Sequence, residues 1–140
     1  EKVLNVSLTG TFKVSRAALN HMEQNKNGVI VNNASVLGWR AQANQSHYSA
    51  AKAGIMAFTR SSAIEAAEFG VRINAVSPSI AIHDHLAKTN SQDLLDELSA
   101  KEVFGRAAEP WEIANVIIFL ASEYSSYMTG EIISVSSQHP

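Results

Sequence analysis

Three polar residues near the middle of the sequence have the types and spacing needed for proton transfer. Tyr48 and Lys52 are four positions apart, so on a helix they lie on one face. An ammonium group beside a phenol stabilises the phenolate, which lets the phenol act as a general acid or base near neutral pH. Ser35 lies thirteen positions before Tyr48, and its hydroxyl could hydrogen-bond a carbonyl and orient it. The three side chains form a candidate site for interconverting a carbonyl and an alcohol.

Each of these residues also has an ordinary structural interpretation. A Tyr-x-x-x-Lys pair on a helix is most often part of a solvated face, and a Ser after a strand is most often a turn residue or a cap. What favours chemistry is the combined order, in which a strand is followed by Ser35, Tyr48 and Lys52.

The surrounding sequence predicts the elements that must position these residues. The apolar run at 29–33 predicts a buried strand that ends just before Ser35. Two further strands are predicted at 71–77 and 131–135, and long helices at 1–24 and 46–69. Because helical segments separate the strands, we expect a parallel sheet in which the three strands are adjacent in chain order.

Local signals predict where the helices begin and end. Gly28 and Gly70 are expected to cap the ends of the two long helices, and Ser46 is expected to cap the start of the second. A short amphipathic helix is predicted within 92–102. A last helix, at 110–121, begins with Pro in its first turn and is apolar almost all round, which predicts that it is buried between the sheet and a second subunit.

Composition excludes several classes of function. The 140 residues suit one globular domain, with 46% hydrophobic and 17% charged residues. A net charge of -2 gives no electrostatic reason to expect nucleic acid or an anionic membrane as partner. The chain has no Cys, no apolar run of membrane-spanning length and no signal-peptide pattern, so we expect a cytoplasmic protein. The segment 83–85, His-Asp-His, lacks further ligands at suitable spacing, so we expect a solvated loop and no metal site.

The combined pattern resembles the short-chain dehydrogenase/reductase family, which has a Ser and then Tyr-x-x-x-Lys at this spacing, directly after a parallel strand. The resemblance covers nearly the whole chain and includes the segment 105–112, Gly-Arg-Ala-Ala-Glu-Pro-Trp-Glu. It implies an α/β fold, namely the C-terminal part of a Rossmann-like doubly wound parallel sheet, with three parallel strands and flanking helices.

The resemblance also implies a role for each candidate residue. Tyr48 would give or take the proton, Lys52 would favour its ionised form and bond the nicotinamide ribose, and Ser35 would orient the substrate carbonyl. Asn5, which stands in an Asn-x-x-x-x-Gly setting with Gly10, matches the family's Asn. That Asn holds a water in a proton relay that includes the Lys.

The cofactor implied by the resemblance is NAD or NADP. In the family, a Pro-Gly turn after the second of these strands lies along the nicotinamide, and a Thr further on often touches its carboxamide. Here the turn is Pro78-Ser79 and the nearest position to that Thr is His83, so the fine contacts differ. The residues expected to touch the cofactor are Tyr48, Lys52, Pro78, Ser79 and Ala81.

A glycine-rich phosphate-binding turn is missing from the sequence. Dinucleotide binding in this fold needs such a turn at a helix N-terminus, yet no two of the seven glycines are closer than ten residues. We therefore expect residues 1–140 to be a partial Rossmann-like oxidoreductase domain that lacks the N-terminal dinucleotide-binding half. Alone, it is expected neither to bind NAD(P) tightly nor to turn over.

Two functions remain open from the sequence. The first is NAD(P)-dependent hydride transfer, in the full-length parent, between nicotinamide and a carbonyl or secondary alcohol. The sequence of the helices and strands resembles that of 3-oxoacyl-thioester reductases. The C-terminal segment, 127–140, is similar to that of actinobacterial members acting on CoA-linked or steroid-derived substrates. The second is an inactive fragment that serves only as a packing or oligomerisation module. The expected macromolecular partner is its own copy, as a homodimer or homotetramer formed through the two long helices.

Overall fold

A parallel three-stranded sheet lies between helices in the computed structural model, which describes residues 1–138. The strands are β1 (Gly28–Asn33), β2 (Val71–Pro78) and β3 (Ile132–Val135). The helices are α1 (Gly10–Asn25), α2 (Ser46–Ala67), α3 (Asp84–Thr89), α4 (Gln92–Ala100) and α5 (Pro110–Ala121), with a π-helical turn at Leu4–Thr9 and 3-10 turns at Val36–Gly38 and Glu123–Ser125.

The sheet has the order β1-β2-β3, and both pairings are parallel, which confirms the predicted strands and their arrangement. Gly28 pairs with Val71 at the start of the first ladder, and Ala75 pairs with Ile132 at the start of the second. β2 is the central strand, and it is nearly all buried because it is covered on both faces and both edges. β1 is bonded only to β2 within residues 1–138, so its other edge is open there.

Neighbouring residues of β2 face opposite cores because side chains alternate along a strand. Ala75 faces α2 and packs with Ile55 and Met56. The next residue, Val76, faces α5 and packs with Ile113 and Leu120. Both faces of the sheet are thus covered by helices, as a parallel sheet requires.

The first helix differs from its prediction. A single helix was expected over 1–24, and the chain is helical without a break over 2–25, but Leu4–Thr9 has π-helical geometry, in which Gly10 N–H donates to the Asn5 carbonyl, before α1 begins. Gly28 was predicted as the C-terminal cap, which is wrong, because Lys26 takes the left-handed conformation with φ of 50°. Gly28 instead opens β1, where a Cβ would collide with the Met22 side chain. Glycine there lets the helix pack directly against the strand.

Two more local predictions need correction, and one is confirmed. Ser46 does not cap α2, because it is already helical and the preceding Gln45 makes no side-chain cap bond. The segment 83–85 is not a loop throughout, since Asp84 begins α3. Gly70, with φ of +72°, does end the region of α2 in the conformation that only glycine adopts easily.

The burial predicted for α5 holds on one face only. Ile113 and Leu120 are buried against β2, whereas Trp111, Ile118 and Phe119 are exposed. The sequence placed this helix between the sheet and a second subunit; its sheet side is confirmed, and burial of its other face against a second subunit stays a prediction. None of the helices within residues 1–138 combines the length and the apolar character that crossing a membrane requires.

Candidate active site

An open cleft of about 580 Å³ lies beside the carboxyl ends of β1 and β2. In open parallel α/β sheets, ligands bind at this edge. The cleft brings together most of the residues predicted from the sequence. Those that line it are Ser35, Tyr48, Lys52, Pro78, Ser79 and Ala81.

Ser35 is held at the edge of the cleft by the turn that follows β1. It precedes the 3-10 turn at Val36–Gly38, and its Oγ accepts a hydrogen bond from Leu37 N at 3.2 Å. The residue is only 7% exposed, so the hydroxyl is fixed in place. Because that bond uses an acceptor site of the hydroxyl, the Ser35 proton stays available to donate to an oxygen in the cleft.

Tyr48 and Lys52 lie one turn apart near the start of α2. Lys52 Nζ lies 5.5 Å from the centre of the Tyr48 ring and donates to the Asn33 carbonyl at 2.8 Å. Burial lowers the pKa of Lys52 from its ordinary value of 10.5. The ammonium group is therefore anchored to the end of β1, with the phenol ring beside it.

Close packing of α2 fixes the position of these two residues. Ala51 and Ile55, on the face next to Lys52, are fully buried. Gly54 lets the π-helical turn approach, since a Cβ there would lie 2.8 Å from Leu8 Cδ2. The small side chains thus hold α2 between the sheet and the N-terminal turn, with its first turns directed at the cleft.

The turn after β2 is held from two sides. Ser79 N–H donates to the Val135 carbonyl at 3.2 Å, which ties the turn to β3. Ala81 pairs with Ala108, and Ala108 N–H donates to the Ile80 carbonyl at 2.9 Å. The predicted cofactor-contact segment is therefore a rigid wall of the cleft.

Asn5 is the predicted site residue that the structure does not bring to the cleft. It is exposed, it does not line the cavity, and its side chain makes no hydrogen bond to another residue within 1–138. Its backbone carbonyl is used by Gly10 in the π-helical turn. Lys52, the expected relay neighbour, is bonded to Asn33 instead.

Sequence reasoning missed three polar residues of the cleft wall, Arg40, Glu102 and Gln138. Gln138 accepts from Arg40 and donates to Glu102, although these partners are 98 and 36 positions away in the chain. No local spacing signals such a contact, so only the fold reveals it. Among residues 1–138, no group of three or more His, Cys, Asp or Glu side chains is arranged to hold a metal ion.

A parallel sheet flanked by helices, with a cleft at the carboxyl ends of its strands, defines a Rossmann-like α/β protein. The chain belongs to the short-chain dehydrogenase/reductase family. A sequence model of this family, described as enoyl-(acyl carrier protein) reductase, matches residues 1–137.

Two curated relatives are similar over nearly all of the chain. The (5R,7aS)-5-hydroxy-7a-methyl-1-oxo-2,3,5,6,7,7a-hexahydro-1H-indene-carboxyl-CoA reductase of Mycobacterium tuberculosis is 70% identical, and the match covers 100% of this chain and 54% of the relative. The 3-oxoacyl-[acyl-carrier-protein] reductase FabG of Aquifex aeolicus is 41% identical, over 97% of this chain and 54% of the relative. The chain thus spans about half the length of these relatives, and both the actinobacterial and the 3-oxoacyl reductase resemblances are confirmed.

Solved structures agree on the fold. A short chain dehydrogenase from Mycobacterium smegmatis is 60% identical, with a TM-score of 0.81 over 99% of this chain and 50% of that one. An NAD⁺-bound xylitol dehydrogenase is 28% identical, with a TM-score of 0.89 over 97% of this chain and 58% of that one. The predicted fold class, part of a Rossmann-like parallel sheet, is therefore confirmed.

Proposed function

We propose that this chain is the catalytic half of an oxidoreductase that transfers hydride between NAD or NADP and a carbonyl or secondary alcohol. The observation that carries the proposal is the convergence of Ser35, Tyr48 and Lys52 on one cleft at the carboxyl edge of the sheet. They arrive there from two different elements, the end of β1 for Ser35 and the start of α2 for Tyr48 and Lys52.

In the reducing direction, the Tyr48 hydroxyl gives its proton to the substrate oxygen as the carbonyl carbon accepts hydride. Ser35 donates a hydrogen bond to the same oxygen and holds it in place, since its own acceptor site is occupied by Leu37 N–H. The Lys52 ammonium, 5.5 Å from the ring centre, stabilises the phenolate that remains on Tyr48. The reverse sequence oxidises an alcohol.

The residues present fit one end of a nicotinamide cofactor. When bound, that cofactor supplies or accepts the hydride. Lys52 contributes an ammonium donor to the lining of the cleft, and Pro78, Ser79 and Ala81 line the same cleft. The chain contributes no glycine-rich turn for the pyrophosphate. We therefore assign phosphate binding to an N-terminal half of the full-length protein, consistent with relatives about twice as long.

The substrate we favour is a CoA-linked cyclic ketone or its alcohol. The 70% identity to a reductase of a bicyclic CoA thioester supports this choice, and the 41% identity to a 3-oxoacyl reductase makes 3-oxoacyl thioesters the second candidate. The cleft suits an apolar body of this kind because Leu86, Leu98 and Ile113 are part of its lining.

A homo-oligomer is also part of the proposal. Phe12 of α1 packs edge-on against Phe58 of α2, with ring centres 5.7 Å apart, and Phe12 remains 45% exposed. Ile64, also on α2, is 77% exposed. Exposed apolar side chains on these two helices are suited to contact with a symmetric copy of the protein.

The test is a cofactor and substrate screen on the full-length protein. NADH and NADPH are each supplied with a cyclic keto acyl-CoA or a 3-oxoacyl-CoA, and oxidation of the cofactor is followed by absorbance at fixed protein concentration. We expect turnover with at least one pair and none with the isolated 140 residues. A folded full-length protein inactive with every pair would overturn the proposal, and micromolar binding of NADH or NADPH to the isolated chain would overturn the division into two halves.

A further inference from the structure

A chain of hydrogen bonds crosses one wall of the cleft and connects three distant segments. Arg40 Nη1 donates to Gln138 Oε1 at 2.8 Å, and Arg40 Nη2 donates to the Gln138 carbonyl at 3.0 Å. Gln138 Nε2 donates in turn to Glu102 Oε1 at 2.7 Å. We call this chain, Arg40–Gln138–Glu102, the polar bridge. It connects the turn that carries Ser35, the segment after β3, and the end of α4.

Glu102 is the buried end of the polar bridge. It is 4% exposed, and its other carboxylate oxygen accepts from Ser137 N at 3.2 Å and from Ser137 Oγ at 2.8 Å. A buried carboxylate with three donors holds its partners firmly, because losing any one of them leaves charge uncompensated. The segment after β3 is thus fastened to the residues that follow α4.

The position of the polar bridge suggests what it does. The segment it anchors, which includes α3 and α4, supplies Leu86, Leu98 and Lys101 to the lining of the cleft that also contains the proposed catalytic residues. The other end of the bridge is Arg40, five residues after Ser35. The bridge therefore fixes the distance between the wall that would cover a substrate and the turn that carries Ser35.

We propose that the polar bridge is a positioning device for the substrate, with Gln138 as its central positioning residue. The inference rests on the proposed function, because it assigns the 84–102 segment to substrate binding. None of the three residues hydrogen-bonds Ser35, Tyr48 or Lys52 within residues 1–138, so they act on where the substrate lies rather than on proton transfer.

An amide is required at the centre of the bridge. Arg40 offers only donors and Glu102 offers only acceptors, so the residue between them must accept on one side and donate on the other. A carboxylate at 138 would face the carboxylate of Glu102. With an amide at 102, one of the two side-chain positions that now accept hydrogen bonds becomes an NH₂ donor. That NH₂ group would face either Gln138 Nε2 or Ser137 N, and both of these are donors themselves. Each single exchange therefore breaks the bridge.

The double exchange restores it. In the variant Glu102→Gln/Gln138→Glu, the new carboxylate at 138 accepts from Arg40, and the new amide at 102 donates to that carboxylate. The amide oxygen at 102 still accepts from Ser137. The total charge equals that of the wild type, so the double variant is a matched rescue of both single variants.

The experiment measures KM and kcat of the full-length protein for its carbonyl substrate in the wild type, E102Q, Q138E and the double variant. We expect KM to rise about tenfold or more in each single variant, the effect of one lost hydrogen bond to a charged group. We expect kcat at saturation to stay within about threefold, and the double variant to return KM close to the wild type. Asp93→Asn is the control, since Asp93 is an exposed carboxylate of α4 that does not line the cleft.

Amide hydrogen exchange of residues 84–104 measures how firmly the polar bridge holds this segment, and it needs no substrate. Its result therefore does not depend on the proposed function being correct. Faster exchange in both single variants and recovery in the double variant would support the bridge even in a protein of different activity. Single variants with unchanged KM and unchanged exchange would overturn it, and so would a double variant as impaired as the sum of the two.

Discussion

Replacing Lys52 with Met should slow the chemical step by roughly a hundredfold. Lys52 Nζ lies 5.5 Å from the centre of the Tyr48 ring. Unit charges at about this separation interact by roughly 3 kcal/mol at an effective dielectric constant of about 20, which corresponds to roughly a hundredfold in rate. Methionine is an unbranched side chain of similar length, so the substitution removes mainly the charge and its bond to the Asn33 carbonyl.

The assay compares kcat of the full-length wild type and Lys52→Met across pH, with Lys13→Met, at an exposed position outside the cleft, as control. Burial lowers the pKa of Lys52, so its ammonium is lost as pH rises through a value below 10.5. The advantage of the wild type is therefore expected to shrink as pH rises and to be lost below pH 10.5. A Lys52→Met enzyme within threefold of the wild type at neutral pH would refute the reasoning.

Three further predictions concern stability. Arg72→Ala should lower the free energy of unfolding by roughly 3 kcal/mol, because each charged hydrogen bond contributes about 1.5–3 kcal/mol. Arg72 donates such bonds to the carbonyls of Leu120, Ser122 and Met128. A denaturant midpoint unchanged from the wild type would contradict this. Thr59→Val should cost about 1–3 kcal/mol by leaving the Asn32 amide without its buried partner, measured the same way against Thr89→Val at an exposed site. Hydrogen bonds from Arg106 and from the Glu109 backbone lower the pKa of Glu112 to about 2. The deficit of Glu112→Gln should therefore be present above pH 4.5, the ordinary value, and disappear as pH falls through about 2; thermal melts whose difference does not vary with pH would exclude this ion pair as a contributor.

The sheet could be predicted because its signals are local and strong. The β-branched and apolar segments that form β1 and β2 are short and separated by a long helical pattern, which favours a parallel arrangement. Tyr48 and Lys52 could be paired from sequence because helix geometry alone brings positions four apart together. The position of Ser35 could be predicted because it closely follows the strand β1, whose end the sequence indicates.

The remaining features depend on contacts that no local pattern records. Lys26, not a glycine, takes the left-handed position after α1, because Gly28 is needed where Met22 packs against β1. Arg40 and Glu102 meet through Gln138 only after the chain has folded, and each alone looks like a surface residue. The predicted role of Asn5 stays a prediction, since its side chain does not reach the cleft in this chain.

The central claim is that Tyr48 transfers the proton, and Tyr48→Phe in the full-length protein tests it most directly because the substitution removes one oxygen and keeps the ring. Steady-state kinetics with saturating cofactor should give a kcat lower by about 10²–10⁴-fold, the usual contribution of a general acid or base. Substrate KM and cofactor binding should stay within a few-fold of the wild type. A variant that keeps near-normal kcat would remove Tyr48 from the mechanism and with it the proposed site.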